Sequence, residues 1–258
     1  MAKKKTTTLG TVLTVVVIAA VIWMKYKEAK ADGDSEAKRP DKELTRPTET
    51  STAEPPPRKP DTKPAPPVAN SNRLLSQLTP ARATSSKFTT IDGCRLIDHR
   101  HNDGDSFHVN VPGKGDMELR LYYADTPESL YKEYRDGNNN GKRISEQGAY
   151  FGGLNRTNTT KVGADAKYFV KDLLKGKSFT ISSQWESVYR SHRKYAFIIV
   201  GWKGKDVYLH ELLVAHGLAR IHTKPMTLPD NTASSRHKTR LYALEKQAKK
   251  NKLGAWGL

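Results

Sequence analysis

The sequence predicts an α+β domain, mainly a small closed β-barrel of five short strands, behind an N-terminal hydrophobic segment and a proline-rich linker. Five stretches in the C-terminal two thirds alternate apolar and polar residues, as strands with one buried face do. Few residues separate most of these stretches, and short antiparallel strands in close succession are typical of a closed barrel. Three stretches with helical periodicity complete the pattern.

The first 31 residues predict a membrane anchor. Residues 6–24 are nineteen uncharged residues between lysine-containing flanks. A helix of that length spans about 28 Å, close to the hydrocarbon core of a bilayer. The tripeptide AKA at 29–31 imitates a cleavage site and leaves a signal peptide open. The long apolar run favours a retained single-pass anchor. Lysines flank both ends of the run and set its orientation only weakly. The globular domain is expected outside the cytoplasm, secreted if the segment is cleaved.

Residues 32–84 predict a flexible, disordered linker. Nine of the fourteen prolines lie within 32–72, in runs such as EPPPRKPDTKPAPP, and no aromatic residue is present there. Such a composition buries too little apolar surface to fold and favours extended polyproline II. A docking site for a partner is the alternative, and a tether is favoured. We therefore place the globular domain at 85–258.

The charge and cysteine content limit the function classes. The net charge is +17, and the 29 Lys and Arg against 18 Asp and Glu within 85–258 place much of the excess in the globular domain. This sign predicts a polyanionic partner, either nucleic acid or an anionic surface. The single cysteine, Cys94, forms no internal disulfide and is expected to be a small buried residue.

The strands are predicted in KFTTIDGCRLIDHR (87–100), DSFHVNV (105–111), MELRLYY (117–123), KSFTISSQW (177–185) and KYAFIIVGW (194–202). The turn PGKG at 112–115 joins the second and third strands as a hairpin. Alternation in the third strand turns Leu119, Leu121 and Tyr123 inward and Arg120 outward.

The helices are predicted at 164–175, ending before Gly176, at 207–216, ending before Gly217, and at about 234–251, where the helix is basic. An insertion at 131–162 separates the third strand from the first helix. Its segment DGNNNGKRISEQ follows part of an EF-hand calcium loop, but Gln147 stands at the closing carboxylate position. We expect a turn that leads into a short helix.

Two acidic motifs mark one end of the predicted barrel. NDGDS contains Asp103 and Asp105, and RLYYADTPES contains Asp125. A solvated turn explains the first motif alone, but Asp125 ends the strand that returns beside Asp105, so these carboxylates can converge. Two carboxylates and the Thr126 carbonyl suit a hard cation such as Ca²⁺ and need no histidine or thiolate.

Arg120 raises a geometric question. Five residues of extended strand separate it from Asp125 by about 16 Å. The two side chains serve one phosphate only if the chain curls sharply at 124–127. A guanidinium suits phosphate because its planar fork binds two oxygens. An exposed ion pair with Asp125 or Glu118 is the alternative, and the residues alone leave both open.

Five segments together resemble the staphylococcal nuclease (thermonuclease) family: NDGDSF, LRLYYADTPES, RKYAFI, HELLVAHGLAR and EKQAKKNKLGAW. The resemblance covers about residues 87–256, apart from the insertion. It implies a five-stranded OB-type barrel with three helices that cleaves DNA and RNA phosphodiesters with Ca²⁺.

The resemblance also implies roles for single residues. The metal site would consist of Asp105, Asp125 and the Thr126 backbone carbonyl, with Asp103 as a nearby acid outside the coordination sphere. The catalytic residues would be Glu128 as the general base, with Arg120 and Arg193 on the scissile phosphate.

Part of the substrate site departs from the family. Ser191 and Thr223 stand where the family commonly has tyrosines. The substrate-binding candidates are therefore the residues close by: Tyr189, Arg190 and Tyr195, with Arg190 a competitor of Arg193 for the phosphate.

The sequence is compatible with three functions: a membrane-tethered Ca²⁺-dependent nuclease, a non-catalytic nucleic-acid-binding OB domain, and an anchored scaffold that recruits a partner through its proline-rich stretch. The nuclease is favoured, because a binding module needs neither Glu128 nor the aspartate pair and uses more aromatic stacking. The expected partners are DNA or RNA and the membrane. No protein partner is implied, and a monomer is expected.

Overall fold

The computed structural model describes residues 77–189 and 191–258. The hydrophobic segment at 6–24 and most of the linker lie outside these residues, so the membrane anchor stays a prediction. Among the described residues, none of the helices combines the length and the apolar character that crossing a bilayer requires.

The described part contains eight strands: β1 (Thr89–Leu96), β2 (Ser106–Val111), β3 (Gly115–Leu121), β4 (Ala124–Asp125), β5 (Ser178–Ser183), β6 (Lys194–Trp202), β7 (Lys205–Tyr208) and β8 (Arg220–Ile221). The order β3-β2-β1-β5-β6 closes on itself, because β3 and β6 pair in parallel while the other neighbours are antiparallel. The predicted five-stranded closed barrel is therefore confirmed. The short strands β4 and β8 form a separate pair.

Four α-helices lie in the described part: α1 (Gly141–Tyr150), α2 (Arg156–Leu174), α3 (Leu209–Ala215) and α4 (Ser234–Lys250). The last three are the predicted helices, and α1 is the helix expected after the Asn/Gly-rich turn. The helix predicted at 207–216 is shorter, because Val207 and Tyr208 belong to β7 and pair with β6. Helix α2 begins earlier than the apolar pattern indicates, because the Asn155 side chain caps it by accepting the Asn158 N–H at 2.9 Å. The insertion therefore includes α1 and the first turns of α2.

The barrel interior follows from the alternation in its strands. Phe107 and Val109 of β2, Leu119 of β3 and Ile181 of β5 are at most 1 % exposed. Cys94 is completely buried, and burial raises its pKa to about 11, so the thiol stays protonated and acts as a small core side chain.

The residues before Ser85 contact the barrel, although they were expected in the linker. Pro80 pairs with Val207, and the Tyr208 hydroxyl donates to the Arg82 carbonyl at 3.1 Å. Leu78 is 4 % exposed. Ordered contacts thus extend toward the N-terminus at least as far as Leu78.

A buried carboxylate holds this N-terminal segment in place. The Thr79 N–H donates to Glu211 Oε2 at 2.6 Å, and the Thr79 hydroxyl donates to Glu211 Oε1. Burial raises the pKa of Glu211 to about 7, although the Thr79 hydrogen bonds and the charge of Arg240 oppose this. The Thr79 hydrogen bonds therefore favour the ionised form of a carboxylate whose charge is disfavoured by burial.

We expect Thr79→Val to lower the free energy of unfolding by about 1–3 kcal/mol, because it leaves a buried carboxylate oxygen without its hydroxyl donor. Urea denaturation measures this loss. The control is Thr157→Val on the exposed surface of α2, which should change stability by less than about 0.5 kcal/mol. Equal effects of the two substitutions would show that the Thr79 hydroxyl does not stabilise the segment.

Candidate active site

The chain bends sharply after β3. Tyr123 has a φ of 64°, and the Ala124 N–H donates to the Tyr122 carbonyl at 2.8 Å. This tight turn brings Arg120 Nη2 to 2.5 Å from Asp125 Oδ1. The sharp bend that Arg120 and Asp125 need in order to meet is therefore present. It lies at Tyr123, one residue before the predicted range 124–127.

The loop after β8 holds the bend in place. The Tyr123 hydroxyl donates to the Met226 carbonyl, and its backbone groups bond to Lys224 and His222 at 3.2 and 2.9 Å. A left-handed conformation is unfavourable for tyrosine and persists where its surroundings fix it.

Two glycines, Gly104 and Gly163, allow neighbouring segments to pack closely against the acidic motifs. A Cβ atom on Gly104 would lie 2.8 Å from Thr126 Cγ2 and 2.9 Å from Ala166 Cβ. A Cβ atom on Gly163 of α2 would lie 2.4 Å from the Glu128 carbonyl oxygen. The segment that follows the bend therefore packs directly on α2 and on the NDGDS turn.

The predicted metal ligands are brought together. Asp105, Asp125 and Thr126 are 3, 1 and 2 % exposed, and Asp105 Oδ2 accepts the Thr126 N–H at 2.7 Å. One guanidinium, that of Arg120, bridges the two aspartates through Nη1 to Asp105 Oδ1 at 2.6 Å and Nη2 to Asp125. The roles of these residues stay predictions, but their proximity is a property of the fold.

Asp125 is surrounded by donors from three elements. Its Oδ1 accepts from Arg120 and, at 2.7 Å, from Arg143 of α1. Its Oδ2 accepts from Arg220 of β8 at 2.7 Å and from Gln147 of α1 at 3.2 Å. Burial pushes the pKa of Asp125 up, but the three guanidinium charges outweigh burial and hold this pKa below its usual range.

Fewer positive charges offset the burial of Asp103 and Asp105, the two aspartates of NDGDS. Burial raises the pKa of Asp105, although Arg120 opposes the rise. Burial and the neighbouring Asp105 raise the pKa of Asp103 to about 7, although its Oδ1 accepts the Gly104 N–H at 2.9 Å. A cation beside this pair would favour the ionised forms.

The two predicted phosphate-binding arginines lie side by side. Arg120 Nη1 and Arg193 Nη1 each donate to the Ser106 hydroxyl at 3.1 Å. Arg193 Nε also donates to Ser191 Oγ at 3.0 Å. Serine at position 191 therefore orients the guanidinium of Arg193, although the family commonly has tyrosine there.

Glu128, the predicted general base, is held by the insertion. Its Oε1 accepts from Arg143 Nε at 2.7 Å, and its Oε2 accepts from Asn140 Nδ2 at 3.3 Å. Its side chain is 20 % exposed, so the carboxylate keeps contact with solvent.

These groups line one polar cavity of about 550 Å³. Its lining residues carry acidic, guanidinium and hydroxyl groups, and they include Asp103, Asp105, Ser106, Arg120, Asp125, Thr126, Glu128, Arg143, Arg193 and Tyr195. The cavity therefore brings together the predicted metal ligands, the predicted base and the two predicted phosphate-binding arginines.

The donor set of the cavity fits Ca²⁺. Asp105, Asp125 and the Thr126 carbonyl offer oxygen atoms only, as a hard cation prefers. Four donors already fill the roughly four lone-pair positions of Asp125. An ion bound to Asp125 therefore has to replace one of these donors.

The substrate-binding candidates differ in position. Tyr195 lines the cavity and stacks on Tyr122 with ring centroids 5.1 Å apart. Tyr189 is 80 % exposed and is not among the residues that line the cavity. Arg190 lies outside the described residues. Tyr195 is thus the candidate that the fold brings to the site.

Residues missed from the sequence are Ser106, Arg143, Gln147 and Arg220. Arg143 and Gln147 are four residues apart on α1, a spacing that places two side chains on one helix face. Two polar residues at this spacing, in a long insertion next to the predicted site, could have indicated from the sequence that both side chains face the site. Arg220 lies in the segment HELLVAHGLAR, but its partner depends on the β4–β8 pairing.

A second buried group, His210, Glu211 and His237, is close enough to hold a metal ion. The His210 and His237 Nε2 atoms are 2.7 Å apart, as in a hydrogen bond. Two nitrogens bound to one tetrahedral zinc ion are about 3.3 Å apart. We interpret this group as a hydrogen-bonded part of the core.

The structure is a closed five-stranded barrel whose polar cavity gathers carboxylates and guanidiniums. The sequence model of the staphylococcal nuclease homologue family matches residues 118–257. The chain belongs to this family. The matched span contains Arg120, Asp125, Glu128 and Arg193, while Asp103 and Asp105 lie before it.

The chain is also similar to an uncharacterized protein of Bacillus anthracis. The two are 28 % identical over 161 residues, which cover 60 % of this chain and 58 % of the relative. The chain therefore spans somewhat more than half the length of the curated relative it matches.

We expect Asp125→Ala to destabilise the fold by about 3–5 kcal/mol, because it leaves buried guanidiniums without their counter-charge. Chemical denaturation with a calcium chelator present measures this effect apart from metal binding. The control is Asp165→Ala, whose partner Lys161 is half exposed, with an expected loss below about 1 kcal/mol. Similar losses in both variants would contradict a central role of Asp125 in the fold.

Proposed function

We propose that the protein is a Ca²⁺-dependent, largely sequence-nonspecific nuclease that hydrolyses phosphodiester bonds of DNA, RNA or both. The observation that carries the proposal is the pairing of Arg120 and Arg193 through Ser106 in the cavity that also holds Asp105, Asp125 and Glu128.

The arginines suit the charge that develops during hydrolysis. Attack on a phosphodiester increases negative charge on the non-bridging oxygens, and preorganised guanidiniums oppose this charge where water is scarce. Arg120 is 11 % exposed and tied to the aspartates, so it changes position little during the reaction. Ca²⁺, when bound by Asp105, Asp125 and the Thr126 carbonyl, supplies a further positive charge to the phosphate.

Glu128 suits the role of general base. Its carboxylate faces the cavity and keeps solvent contact, so it accepts a proton from a water molecule placed beside the phosphate. Arg143 and Asn140 hold both of its oxygens, which restricts the direction of attack.

The broad substrate range rests on charge. Helix α4 carries basic residues along its length. Basic side chains attract the phosphates of any nucleic acid and carry no information about its base sequence.

We place the domain outside the cytoplasm, behind an N-terminal anchor, because residues 6–24 form an apolar run long enough to span a bilayer.

The test uses the full chain with plasmid DNA, single-stranded DNA and RNA, in Ca²⁺ or in EGTA. We expect cleavage in Ca²⁺ only, with Glu128→Ala reducing the rate by about 10²–10⁴-fold and Arg120→Ala by at least about 10²-fold. The matched control Glu133→Ala removes an exposed glutamate of the same loop and should retain the wild-type rate.

Equal faint cleavage by wild type, Arg120→Ala and Glu128→Ala would contradict the proposal and indicate a contaminant. Nucleic-acid binding without cleavage would favour the non-catalytic binding domain.

A further inference from the structure

Helix α1 reaches the predicted catalytic segment with two side chains one turn apart. Arg143 is partly exposed and Gln147 is completely buried. Both contact residues 125–128, which hold two predicted metal ligands and the predicted base.

Arg143 joins the base to the metal ligand. Its Nε donates to Glu128 Oε1 and its Nη2 donates to Asp125 Oδ1, each at 2.7 Å. Because a guanidinium is planar and rigid, the two bonds fix the Glu128 carboxylate relative to Asp125. A lysine offers a point charge at this position and cannot reproduce the two-pronged contact.

Gln147 fixes the backbone of the same segment. Its Oε1 accepts the Glu128 N–H at 2.9 Å, and its Nε2 donates to the Thr126 carbonyl at 3.0 Å. A carbonyl oxygen has two lone pairs, so Thr126 keeps one for a cation. Helix α1 therefore supports the segment through both its backbone and its side chains.

The three guanidiniums around Asp125 differ in their freedom to move. The side chains of Arg220 and Arg120 are 7 and 11 % exposed, whereas that of Arg143 is 39 % exposed. An ion that binds Asp125 has to replace one donor, and Arg143 is the donor with most access to solvent. Its departure leaves the two buried ion pairs of Asp125 in place.

We propose that Arg143 has two linked effects: it positions Glu128, and it competes with Ca²⁺ for Asp125 Oδ1. The inference rests on the proposed nuclease function. Removing the side chain then changes two quantities in opposite directions. The turnover number falls because Glu128 loses its orientation, while Ca²⁺ binds more tightly because a competing positive charge has left Asp125.

The experiment measures Ca²⁺ affinity by titration calorimetry without nucleic acid, and kcat and KM on a short single-stranded DNA at saturating Ca²⁺. All measurements use the full chain. For Arg143→Ala we expect kcat to fall about 10–100-fold with little change in KM. We expect its Ca²⁺ Kd to decrease on the order of 10-fold.

Arg143→Lys separates the two effects, because it keeps the positive charge and loses the planar guanidinium that contacts Glu128 and Asp125 together. Its Ca²⁺ Kd should stay near the wild-type value while kcat stays low. Lys142→Ala is the matched control, since it removes one positive charge from the exposed side of α1. It should change Ca²⁺ affinity and kcat less than about twofold, because an exposed charge is largely screened.

A Ca²⁺ affinity of Arg143→Ala equal to or weaker than that of wild type would overturn the inference, as would an unchanged kcat. A merely structural role would lower affinity, kcat and thermal stability together. If wild type cleaves DNA and this pattern is absent, only the role of Arg143 fails. If wild type neither binds Ca²⁺ nor cleaves, the proposed function fails, and the inference about Arg143 fails with it.

Discussion

The carboxylate of Asp125 is the group on which the arrangement of this end of the barrel depends. It is 1 % exposed and accepts hydrogen bonds from β3, from α1 and from β8. Burying a carboxylate is costly unless its charge is matched, and here three guanidiniums match it. One side chain thereby connects the barrel, the inserted helix and the segment after α3. The tight turn at Tyr123 is what delivers Asp125 to that position.

The guanidiniums that match the charge of Asp125 also give the site its chemical character. Guanidiniums that stabilise buried carboxylates are also the groups that bind phosphate, so the elements that stabilise the fold and those that would hold a substrate overlap. Arg120 and Arg193 meet at Ser106, beside carboxylates that suit a hard cation. The charge balance of the site is therefore sensitive to any cation or anion that enters it, and Arg143 is its most exposed cationic member among Arg120, Arg143 and Arg220.

The barrel was predictable because a strand with one buried face shows its period of two in the sequence, as Phe107 and Val109 do. Strands β4 and β8 have two residues each and exist through their pairing, so no periodicity marks them. The start of α2 was missed because polar residues form its first turns. Asp105, Asp125 and Glu128 were found through their motifs, whereas the contacts of Arg143, Gln147 and Arg220 depend on how distant elements pack.

A crystal structure of the full chain with Ca²⁺ and a nucleotide carrying two phosphates would show directly which donors of Asp125 the ion replaces. We expect an ion about 2.3–2.6 Å from oxygens of Asp105, Asp125 and Thr126, with a phosphate on Arg120 and Arg193 and with Arg143 released from Asp125. An ion bound elsewhere, or Asp125 with all four protein donors retained while Ca²⁺ and the nucleotide are bound, would contradict this expectation.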